Sequence, residues 1–279
     1  MNPICFHHND PDGRLSAAIV QRTVDNVELV EVKYGDDWSL DQVKDRLVYV
    51  VDFSFPDMLA LKRACKTLVW IDHHQSAKDR NELIWESKDV LGDRDVDRAA
   101  CELTWLFFNE EFDMPNIVKY VGDYDAWKFE YEEKSHYAHE FFATLDLKKD
   151  KEDIEYLLNN RAGAVMNALN FGKLLYDAKL EIAKDIANHA LLEMWEGHKT
   201  VRINCSSKKL VSLVGQVAME QHPEADIIFM YHEMTPRWMV SLRSKTVDVA
   251  KIAEKYGGGG HKGASGFSMK IVGHTHIKD

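Results

Sequence analysis

Cysteine is scarce in this sequence, which has four cysteines among 279 residues and no Cys-x-x-Cys pair. This spacing is not that of a zinc site or a disulfide framework, and it is typical of reduced, buried cysteine in a cytosolic protein. Long apolar runs are also missing, since none approaches the roughly 20 residues that a membrane-spanning helix needs. The amino terminus lacks the basic start and apolar run of a secretory signal. We therefore expect a cytoplasmic protein with no membrane partner.

Basic residues are outnumbered, with 35 lysines and arginines against 46 aspartates and glutamates, for a formal net charge of -11. This balance argues against binding to long duplex nucleic acid, which depends on many lysine and arginine contacts to phosphate. A small phosphorylated substrate is still compatible, because bound metal ions neutralise carboxylates and a local basic patch can hold a phosphate. The hydrophobic fraction of 45% indicates a globular protein with a core, in one large domain or two ordinary ones.

Ligand-type side chains follow the first predicted strand. The apolar start of the chain runs directly into His8, Asp10 and Asp12, and Gly13 allows a sharp turn into a predicted helix. Alternate residues of an extended strand end point the same way, so the three side chains can converge on one point. A polar loop that carries acids by chance is the alternative for this stretch alone.

Two further predicted strands end in the same kind of residue. The apolar run 47–51 predicts a strand buried on both faces of a parallel sheet, and it ends at Asp52. The run 67–71 predicts the next strand, which ends at Asp72-His73-His74. Strands and helices alternate as in a parallel sheet with crossover helices, whose chemistry is usually placed at the carboxyl ends of the strands. Three such endings at one sheet edge make chance a poor explanation.

The later part of the chain is first mainly helical and then mixed. Asp123 and Asp125 come just after an apolar helix within residues 115–127, and helix-end or turn chemistry is their alternative explanation. A helical region continues over residues 161–195, and its apolar spacing predicts that part of it is a long connecting helix. A second pattern of strands and helices begins near His198.

Four consecutive glycines, Gly257–Gly260, precede His261 near the end of this second pattern. Each glycine loses much entropy when it is ordered, so a functional reason for the run is needed. Free backbone N–H groups that curl around an anion supply one. A flexible linker is the alternative, and it is weakened because the apolar residues Phe267 and Met269 follow at once as a predicted terminal strand.

Together these segments resemble the DHH phosphoesterase family, in the subgroup with a DHHA1-type carboxyl-terminal domain. The matching segments span nearly the whole chain in the family's order: His8–Gly13 as H-x-D-x-D-G, Asp52, Asp72-His73-His74, Asp123 and Gly257–Gly266. The resemblance implies an α/β fold with three parts: an amino-terminal parallel-sheet DHH catalytic domain over residues 1–160, a helical linker over 161–196, and a smaller α/β DHHA1-type substrate-binding domain over 197–279.

The resemblance also implies the ligands of two divalent metal ions, which share a bridging carboxylate. The first metal would be held by His8, Asp10 and Asp52, and the second by Asp12, Asp52, His73 and Asp123. Mixed oxygen and imidazole ligands suit Mn²⁺, and four carboxylates cancel the charge of two divalent cations.

Further roles follow from the same resemblance. The catalytic residues would be Asp52, Asp72, which orients an imidazole, and His74, which contacts the phosphate and protonates the leaving oxygen. The implied contacts to substrate phosphate lie in the DHHA1-type domain: Arg243, His261 and the backbone of Gly258, Gly259 and Gly260.

The activity that the resemblance implies is a Mn²⁺-dependent phosphodiesterase. It would hydrolyse short oligonucleotides or linear dinucleotides to 5′-mononucleotides by in-line attack of a hydroxide that bridges the two metals. Alternatives within the same chemistry are a phosphatase of 3′-phosphoadenosine 5′-phosphate (pAp) and a cyclic-dinucleotide phosphodiesterase. A catalytically silent nucleotide-binding module is the alternative from another class, and the intact ligand set speaks against it. The expected partner is a short nucleotide substrate, and a homodimer is left open.

Overall fold

The computed structural model describes residues 2–34, 36, 38–109 and 114–270, and the side chain of His261 lies outside the described part. The chain divides into two compact units, Met1–Tyr176 and Asp177–Asp279. In the described ranges, no helix is both long enough and apolar enough to cross a membrane. All four cysteines are unpaired and buried.

The first unit is built on a four-stranded parallel sheet in the order β2-β1-β3-β4. The strands predicted over 47–51 and 67–71 are confirmed with those bounds. The strands are β1 (Ile4–His8), β2 (Glu28–Val32), β3 (Leu47–Val51) and β4 (Thr67–Ile71).

Helices follow or connect these strands, and a short 3₁₀ helix covers Leu40–Gln42. A connection between two parallel strands has to run back to the end of the sheet where the next strand begins, and a helix commonly spans that distance. The helices are α1 (Pro11–Thr23), α2 (Met58–Ala64), α3 (Gln75–Arg80), α4 (Glu82–Trp85), α5 (Ala100–Phe108), α6 (Asn116–Asp125), α7 (Glu133–Phe142), α8 (Lys151–Leu158) and α9 (Ala162–Ala187), the last of which crosses the boundary between the units.

Both faces of the parallel sheet are buried, because alternate residues of each strand enter different apolar clusters. In β3, Tyr49 and Val51 pack with residues of α1, α5 and α6, whereas Val48 and Val50 pack with residues of α2 on the other face. This is the period of two that a strand imposes on its side chains. A sheet covered on both sides leaves its strand ends as the place where polar side chains can gather.

The second unit has a six-stranded mixed sheet in the order β5-β6-β7-β8-β10-β9. The predicted α/β fold, with a parallel-sheet domain followed by a smaller mixed domain, is confirmed. The elements of this unit are β5 (Leu191–Trp195), β6 (His198–Asn204), α10 (Val211–Gln221), β7 (Ile227–Met234), β8 (Arg237–Arg243), α11 (Val249–Lys255), β9 (Gly259–His261) and β10 (Ala264–Lys270).

The predicted helical region over 161–195 is wrong at its end. Helix α9 stops at Ala187, and β5 follows as an edge strand paired antiparallel with β6. Glu196 and Gly197 connect the two strands with φ values of 52° and 81°. Positive φ at both central residues is what a two-residue hairpin turn of the type I′ class requires, and Gly197 supplies it easily.

Candidate metal centre

The carboxyl ends of β1, β3 and β4 bring the three sequence motifs together. These strands are neighbours in the sheet, so His8, Asp52 and the triplet Asp72-His73-His74 end at one edge. The side chains of this edge form three overlapping groups in which the ligand atoms all lie within 4.8 Å of one another: His8, Asp10 and Asp52; Asp52, His73 and His74; and Asp12, His73 and Asp125.

The first group is centred on His8. Its Nδ1 lies 2.6 Å from Asp10 Oδ2 and 3.7 Å from Asp52 Oδ2. Asp10 is fixed at the same time by its other oxygen, which caps helix α1 by accepting a hydrogen bond of 3.0 Å from the backbone N–H of Gly13. The turn from β1 into α1 therefore fixes the directions of two of the three side chains, His8 and Asp10.

The second and third groups share His73, which is surrounded by three carboxylates. Its Nε2 lies 3.1 Å from Asp125 Oδ2, 3.3 Å from Asp52 Oδ1 and 3.7 Å from Asp12 Oδ2. None of these approaches has the geometry of a hydrogen bond, and within the described residues this buried nitrogen has no hydrogen-bond partner. An imidazole nitrogen and three carboxylates that face one point without bonding to each other form a ligand set for a cation.

Asp52 belongs to both groups and is held in an unusual backbone conformation. Its φ is 53°, in the left-handed region that non-glycine residues enter at a cost, and its side chain is buried. Its backbone N–H donates to the carbonyl of Ile71, at 3.0 Å, which locks this conformation against β4. Its Oδ2 has no hydrogen-bond partner among the described residues. The strained strand end thus places one buried carboxylate between the two histidines.

Asp72 and His74 form a pair beside this centre. Asp72 Oδ1 lies 2.7 Å from His74 Nδ1, and the same oxygen accepts hydrogen bonds from the backbone N–H groups of His73 and His74. These contacts fix the direction of the His74 ring. They also assign the His74 proton on Nδ1, because a buried carboxylate is an acceptor only.

Asp12 has a second set of partners that the sequence did not reveal. Its two carboxylate oxygens accept hydrogen bonds of 2.9 and 2.8 Å from the backbone N–H groups of Ala100 and Cys101. These groups open helix α5, whose N-cap residue Ala99 has no side chain that could accept them. Asp12 therefore caps α5 from a distant part of the chain, and α5 in turn holds Asp12 at the cluster.

The pKa values at this edge are shifted because several carboxylates lie close together with little access to water. Burial, reinforced by the charge of Asp10, raises the pKa of Asp52 to about 6. Burial and the charges of Asp52 and Asp125 raise the pKa of Asp12 well above its usual value. Burial alone would lower the pKa of His8, but the hydrogen bond to Asp10 and the negative charge of the nearby Asp52 raise it to about 10. Without a cation, the cluster is stable only by retaining protons.

These observations fit a pair of divalent cations. The donors are carboxylate oxygens and imidazole nitrogens, a set that suits Mn²⁺, and no thiolate takes part. Two of the buried ligand atoms, Asp52 Oδ2 and His73 Nε2, lack hydrogen-bond partners among the described residues, and such atoms call for a bound group. Four carboxylates balance two divalent charges: Asp10, Asp12, Asp52 and Asp125.

Asp125, and not Asp123, reaches His73, which corrects the sequence-based choice between these two acids. Both residues lie in the last turn of α6, not after it. The Asp123 carboxylate is occupied by the loop that follows: it accepts hydrogen bonds from the backbone N–H groups of Glu130, at 2.9 Å, and Tyr131, at 3.3 Å, and from the hydroxyl of Ser135. Asp123 therefore anchors a loop, and Asp125 faces the cluster.

The anchored loop is strained. Trp127, Phe129 and Glu132 have φ values of 57°, 54° and 54°. Positive φ is rare for bulky residues and persists only where surrounding contacts impose it. The hydrogen bonds to Asp123 are such contacts, and they fix the chain immediately after Asp125.

Replacing each of these two acids by asparagine should separate their roles. Asp123→Asn should lower the free energy of unfolding by about 1–3 kcal/mol, because an amide cannot accept all the hydrogen bonds that the carboxylate accepts. Asp125→Asn should leave stability close to that of the parent and weaken Mn²⁺ binding instead. Urea unfolding and equilibrium dialysis with Mn²⁺ measure the two quantities. The assignment fails if Asp125→Asn is the destabilised variant and Asp123→Asn alone loses metal.

Metal binding should release protons. His8, whose pKa is about 10, is protonated at pH 7 in the metal-free protein, and a histidine must be neutral to bind a metal. Mn²⁺ affinity should also fall as the pH falls through about 6, since Asp52 then takes up a proton that competes with the metal. Calorimetric titrations at pH 7 in two buffers of different ionisation enthalpy detect this release. Equal apparent enthalpies in both buffers would contradict it.

The predicted phosphate contacts of the second unit lie at one level of its sheet. Arg243 ends β8 opposite Ala264 of β10, and Ala264 lies opposite His261 of β9. The Arg243 guanidinium donates to the carbonyl of Leu242, at 2.9 Å, and to the hydroxyl of Ser212, at 3.2 Å. The backbone of His261 is placed by this pairing, whereas its predicted phosphate contact concerns a side chain outside the described part.

The glycine run has structural reasons at three of its four positions. A Cβ on Gly258 would lie 2.1 Å from the carbonyl oxygen of Gly266, and one on Gly260 would lie 2.6 Å from the Cα of Ser265. Gly257 has a φ of 76°. The Cβ positions of Gly257 and Gly259 have no atom of the described residues within 4 Å, so among the four glycines only Gly259 has neither a close contact nor a positive φ. Close strand pairing thus accounts for much of the run, and a contact to phosphate is a proposal for Gly259.

Fold and site together define an α/β protein with a candidate two-metal centre at a parallel-sheet edge and a separate second α/β unit. Residues 197–273 match the DHHA1 domain family. Over 241 residues the chain is 24% identical to the uncharacterized protein R106 of Acanthamoeba polyphaga mimivirus, a match that covers 84% of this chain and only 55% of that protein. It is 23% identical over 293 residues to the bifunctional oligoribonuclease and PAP phosphatase NrnA of Mycoplasma genitalium, covering 94% of this chain and 87% of NrnA.

Solved structures agree on the fold. A DHH domain from a member of the s1p family of ribosomal proteins superposes with a TM-score of 0.62 at 15% identity, over 97% of this chain and 83% of that one. The pGpG-specific phosphodiesterase PggH of Vibrio cholerae superposes with a TM-score of 0.56 at 11% identity, over 97% of this chain and 94% of PggH. Exonuclease RecJ bound to manganese superposes with a TM-score of 0.53 at 15% identity, over 96% of this chain and 86% of that chain. The resemblance to DHH phosphoesterases with a DHHA1 domain is confirmed.

Proposed function

We propose that the protein is a Mn²⁺-dependent phosphodiesterase that hydrolyses short oligonucleotides or linear dinucleotides to 5′-mononucleotides. One observation carries this proposal: two groups of carboxylates and imidazoles at the sheet edge share the buried Asp52, and two of their atoms, Asp52 Oδ2 and His73 Nε2, have no hydrogen-bond partner in the described residues. In a domain with a purely structural or silent binding role such a cluster would only lower stability, because buried carboxylates without a cation destabilise the fold.

Bound divalent cations would lower the pKa of a shared water and stabilise the charge on the phosphoryl oxygens during in-line displacement. The chain itself would fix their positions. His8, Asp10 and Asp52 would hold one cation, and Asp12, Asp52, His73 and Asp125 would hold the other, with Asp52 shared. Hydrogen bonds already hold Asp10 and Asp12 at the starts of α1 and α5, and the left-handed backbone of Asp52 holds the third carboxylate.

His74 is the proposed proton donor. Burial alone would lower its pKa, but the hydrogen bond and charge of Asp72 raise it above the usual histidine value, which favours the protonated ring. With Nδ1 bonded to Asp72, Nε2 is the nitrogen that can contact a phosphate oxygen and give its proton to the leaving oxygen. Asp72 orients this ring and does not touch the substrate.

The second unit is proposed to bind the part of the substrate away from the reacting phosphate. Arg243 offers the planar fork that grips phosphate oxygens, with Gly259 and His261 as its proposed neighbours. The names of two relatives support a short nucleotide as substrate, since one is an oligoribonuclease and the other a pGpG-specific phosphodiesterase. Hydrolysis of pAp is the second candidate, because NrnA is also named a PAP phosphatase.

A substrate panel with Mn²⁺ tests the proposal. Linear pGpG, a short RNA, pAp and a cyclic dinucleotide are each incubated with the metal-loaded protein, and products are separated by chromatography. We expect 5′-mononucleotides from pGpG and from the short RNA, at higher kcat/KM than for pAp or the cyclic dinucleotide. Faster hydrolysis of pAp would favour the second candidate. No turnover of any substrate with Mn²⁺ or Mg²⁺ would overturn the proposed activity.

Arg243→Ala should raise KM for pGpG by about tenfold or more, while kcat changes little, because the proposed contact is to a phosphate that does not react. Arg237 on the same strand, which bonds to Ser268, provides the matched control as Arg237→Ala. Steady-state kinetics with both variants separate KM from kcat. A strong fall in kcat at unchanged KM would instead place Arg243 in transition-state stabilisation.

A further inference from the structure

An exposed aromatic ring, that of Tyr34, borders the candidate metal centre. Tyr34 lies two residues after β2, which is parallel to β1 and next to it in the sheet, so Tyr34 follows the same sheet edge as His8. Its ring centroid is 5.9 Å from that of His8 and 6.5 Å from that of His74. The ring therefore neighbours both a proposed metal ligand and the proposed proton donor.

A buried aromatic pair supports the Tyr34 ring. The ring centroid of Tyr34 is 4.7 Å from that of Phe53, at an interplanar angle of 33°, and Phe53 packs edge-on against Phe55 at 5.1 Å. Phe53 and Phe55 are 3% and 2% exposed, whereas Tyr34 is 49% exposed. Core packing thus accounts for the contact with Phe53 and leaves the exposed part of the Tyr34 ring for another partner.

Position distinguishes Tyr34 from other exposed apolar residues. Single apolar side chains are common on protein surfaces and need no explanation by themselves. Tyr34, however, is tied by ring contacts to the two histidines on which the proposed chemistry depends, and it belongs to none of the three ligand groups found in the described residues. A flat ring held in this place, without a role in holding metal, can contact a bound substrate.

The place of His74 indicates which part of the substrate this is. In the proposed reaction His74 gives its proton to the oxygen that leaves phosphorus, so the group attached to that oxygen lies on the His74 side of the reacting phosphate. In a linear dinucleotide this group is the nucleoside whose 3′-oxygen leaves, and its base is a flat aromatic system. Bases of any sequence stack on aromatic side chains through their π faces.

We propose that Tyr34 is a specificity-determining residue that stacks on the base of the leaving nucleoside. The inference rests on the proposed function for its substrate class and for the role of His74. It deepens that function in one respect, because it makes a base on the leaving side a requirement for tight binding. Since stacking reads no hydrogen-bond pattern, the requirement is met by all four bases.

Binding of two uncleavable ligands tests the inference without turnover. One ligand is pGpG with a methylene group in place of the leaving 3′-oxygen, and the other is the same compound without the base of the leaving nucleoside. Calorimetric titrations into the full-length protein with Mn²⁺ compare the parent with Tyr34→Ala. We expect the parent to bind the complete ligand about tenfold to a hundredfold more tightly than the abasic ligand, the range that stacking on one aromatic ring supplies. Tyr34→Ala should lose most of this advantage and bind the abasic ligand like the parent.

Two further variants locate the effect in the ring. Tyr34→Phe keeps a flat ring and should retain the preference for the complete ligand. Phe171→Ala removes a ring that is also 49% exposed, but that ring lies on α9 and contacts Phe141, so the variant should bind both ligands like the parent. Thermal melts and bound Mn²⁺ verify that each variant is folded and loaded with metal.

The outcomes separate this inference from the proposed function. Equal affinity of the parent for the two ligands would overturn the stacking role, as would a folded, metal-loaded Tyr34→Ala variant that still prefers the complete ligand. An equal loss of affinity for both ligands in Tyr34→Ala would also overturn it, because the ring would then only support the centre. The proposed function is tested by hydrolysis of the substrate panel, which neither uncleavable ligand measures. Base-dependent binding through Tyr34 would thus support the inference even if no substrate of the panel were hydrolysed.

Discussion

Asp52→Ala should reduce kcat/KM for pGpG by about a thousandfold or more, which corresponds to about 4 kcal/mol of lost transition-state stabilisation. Asp52 is the carboxylate that the His8 and His73 groups share, so its removal affects both proposed metal positions at once. The fold should persist, because the loss of a buried carboxylate with a raised pKa relieves repulsion from Asp10 and Asp125. Steady-state rates, bound Mn²⁺ and circular dichroism are the measurements.

Asp45→Ala is the matched control for this substitution. Asp45 has a φ of 58°, close to the 53° of Asp52, but its side chain is exposed and belongs to none of the ligand groups. Both variants therefore place alanine in a left-handed backbone conformation, and only one removes a ligand. Activity of Asp52→Ala within tenfold of the parent, in the presence of a normal control, would rule out the two-metal assignment.

Gly13→Ala is expected to lower pGpG turnover by about a hundredfold and the free energy of unfolding by about 1–3 kcal/mol. A Cβ at this position would lie 2.5 Å from the carbonyl oxygen of His8, a backbone atom that cannot move aside without shifting β1 or α1. Either shift displaces Asp10, whose carboxylate caps the Gly13 N–H, and with it Asp12. The measurements are kinetics and urea unfolding.

Gly163→Ala provides the contrast. Gly163 also lies in the first turn of a helix, α9, but within the described residues its Cβ position has no atom within 4 Å. Alanine is the better helix former by roughly 0.5–1 kcal/mol, so this variant should be as stable as the parent or slightly more stable. If Gly13→Ala behaved like Gly163→Ala, the close approach of α1 to β1 would have no role in placing the acids.

The sheet edge was predictable because buried parallel strands have a strong sequence signature. The runs 47–51 and 67–71 are apolar throughout, and both observed strands have these bounds. Once the strands are placed, parallel pairing brings their carboxyl ends to one edge, so Asp52 and the triplet Asp72-His73-His74 had to meet His8 there. Local pattern and topology together determine this part of the site.

The choice between Asp123 and Asp125 was not determined in the same way. Residues two apart on a helix point to nearly opposite sides, and the prediction placed both acids after the helix. The structure extends α6 to Asp125 and buries Asp123 more deeply, at 3% exposure. Apolar spacing does not single out Asp125, because Asp123 lies three residues after the buried Tyr120, just as Asp125 lies four residues after the buried Val121.

Contacts made over long sequence distances were the least predictable. Asp12 caps α5 across 88 and 89 residues, and nothing in the segment around Ala99 indicates that its cap comes from another part of the chain. Likewise, the glycine run suggests an anion-binding loop, whereas Gly258 and Gly260 are required because β10 passes close to them. Such requirements arise from tertiary packing, which local pattern does not contain.

The measurement that tests the two-metal centre most directly is an anomalous difference map from crystals soaked in Mn²⁺. We predict two peaks in the first unit, one among His8, Asp10 and Asp52 and the other among Asp12, Asp52, His73 and Asp125, with Asp52 in contact with both. A single peak, a second peak at Asp123 instead of Asp125, or manganese bound only outside this sheet edge would contradict the centre proposed here.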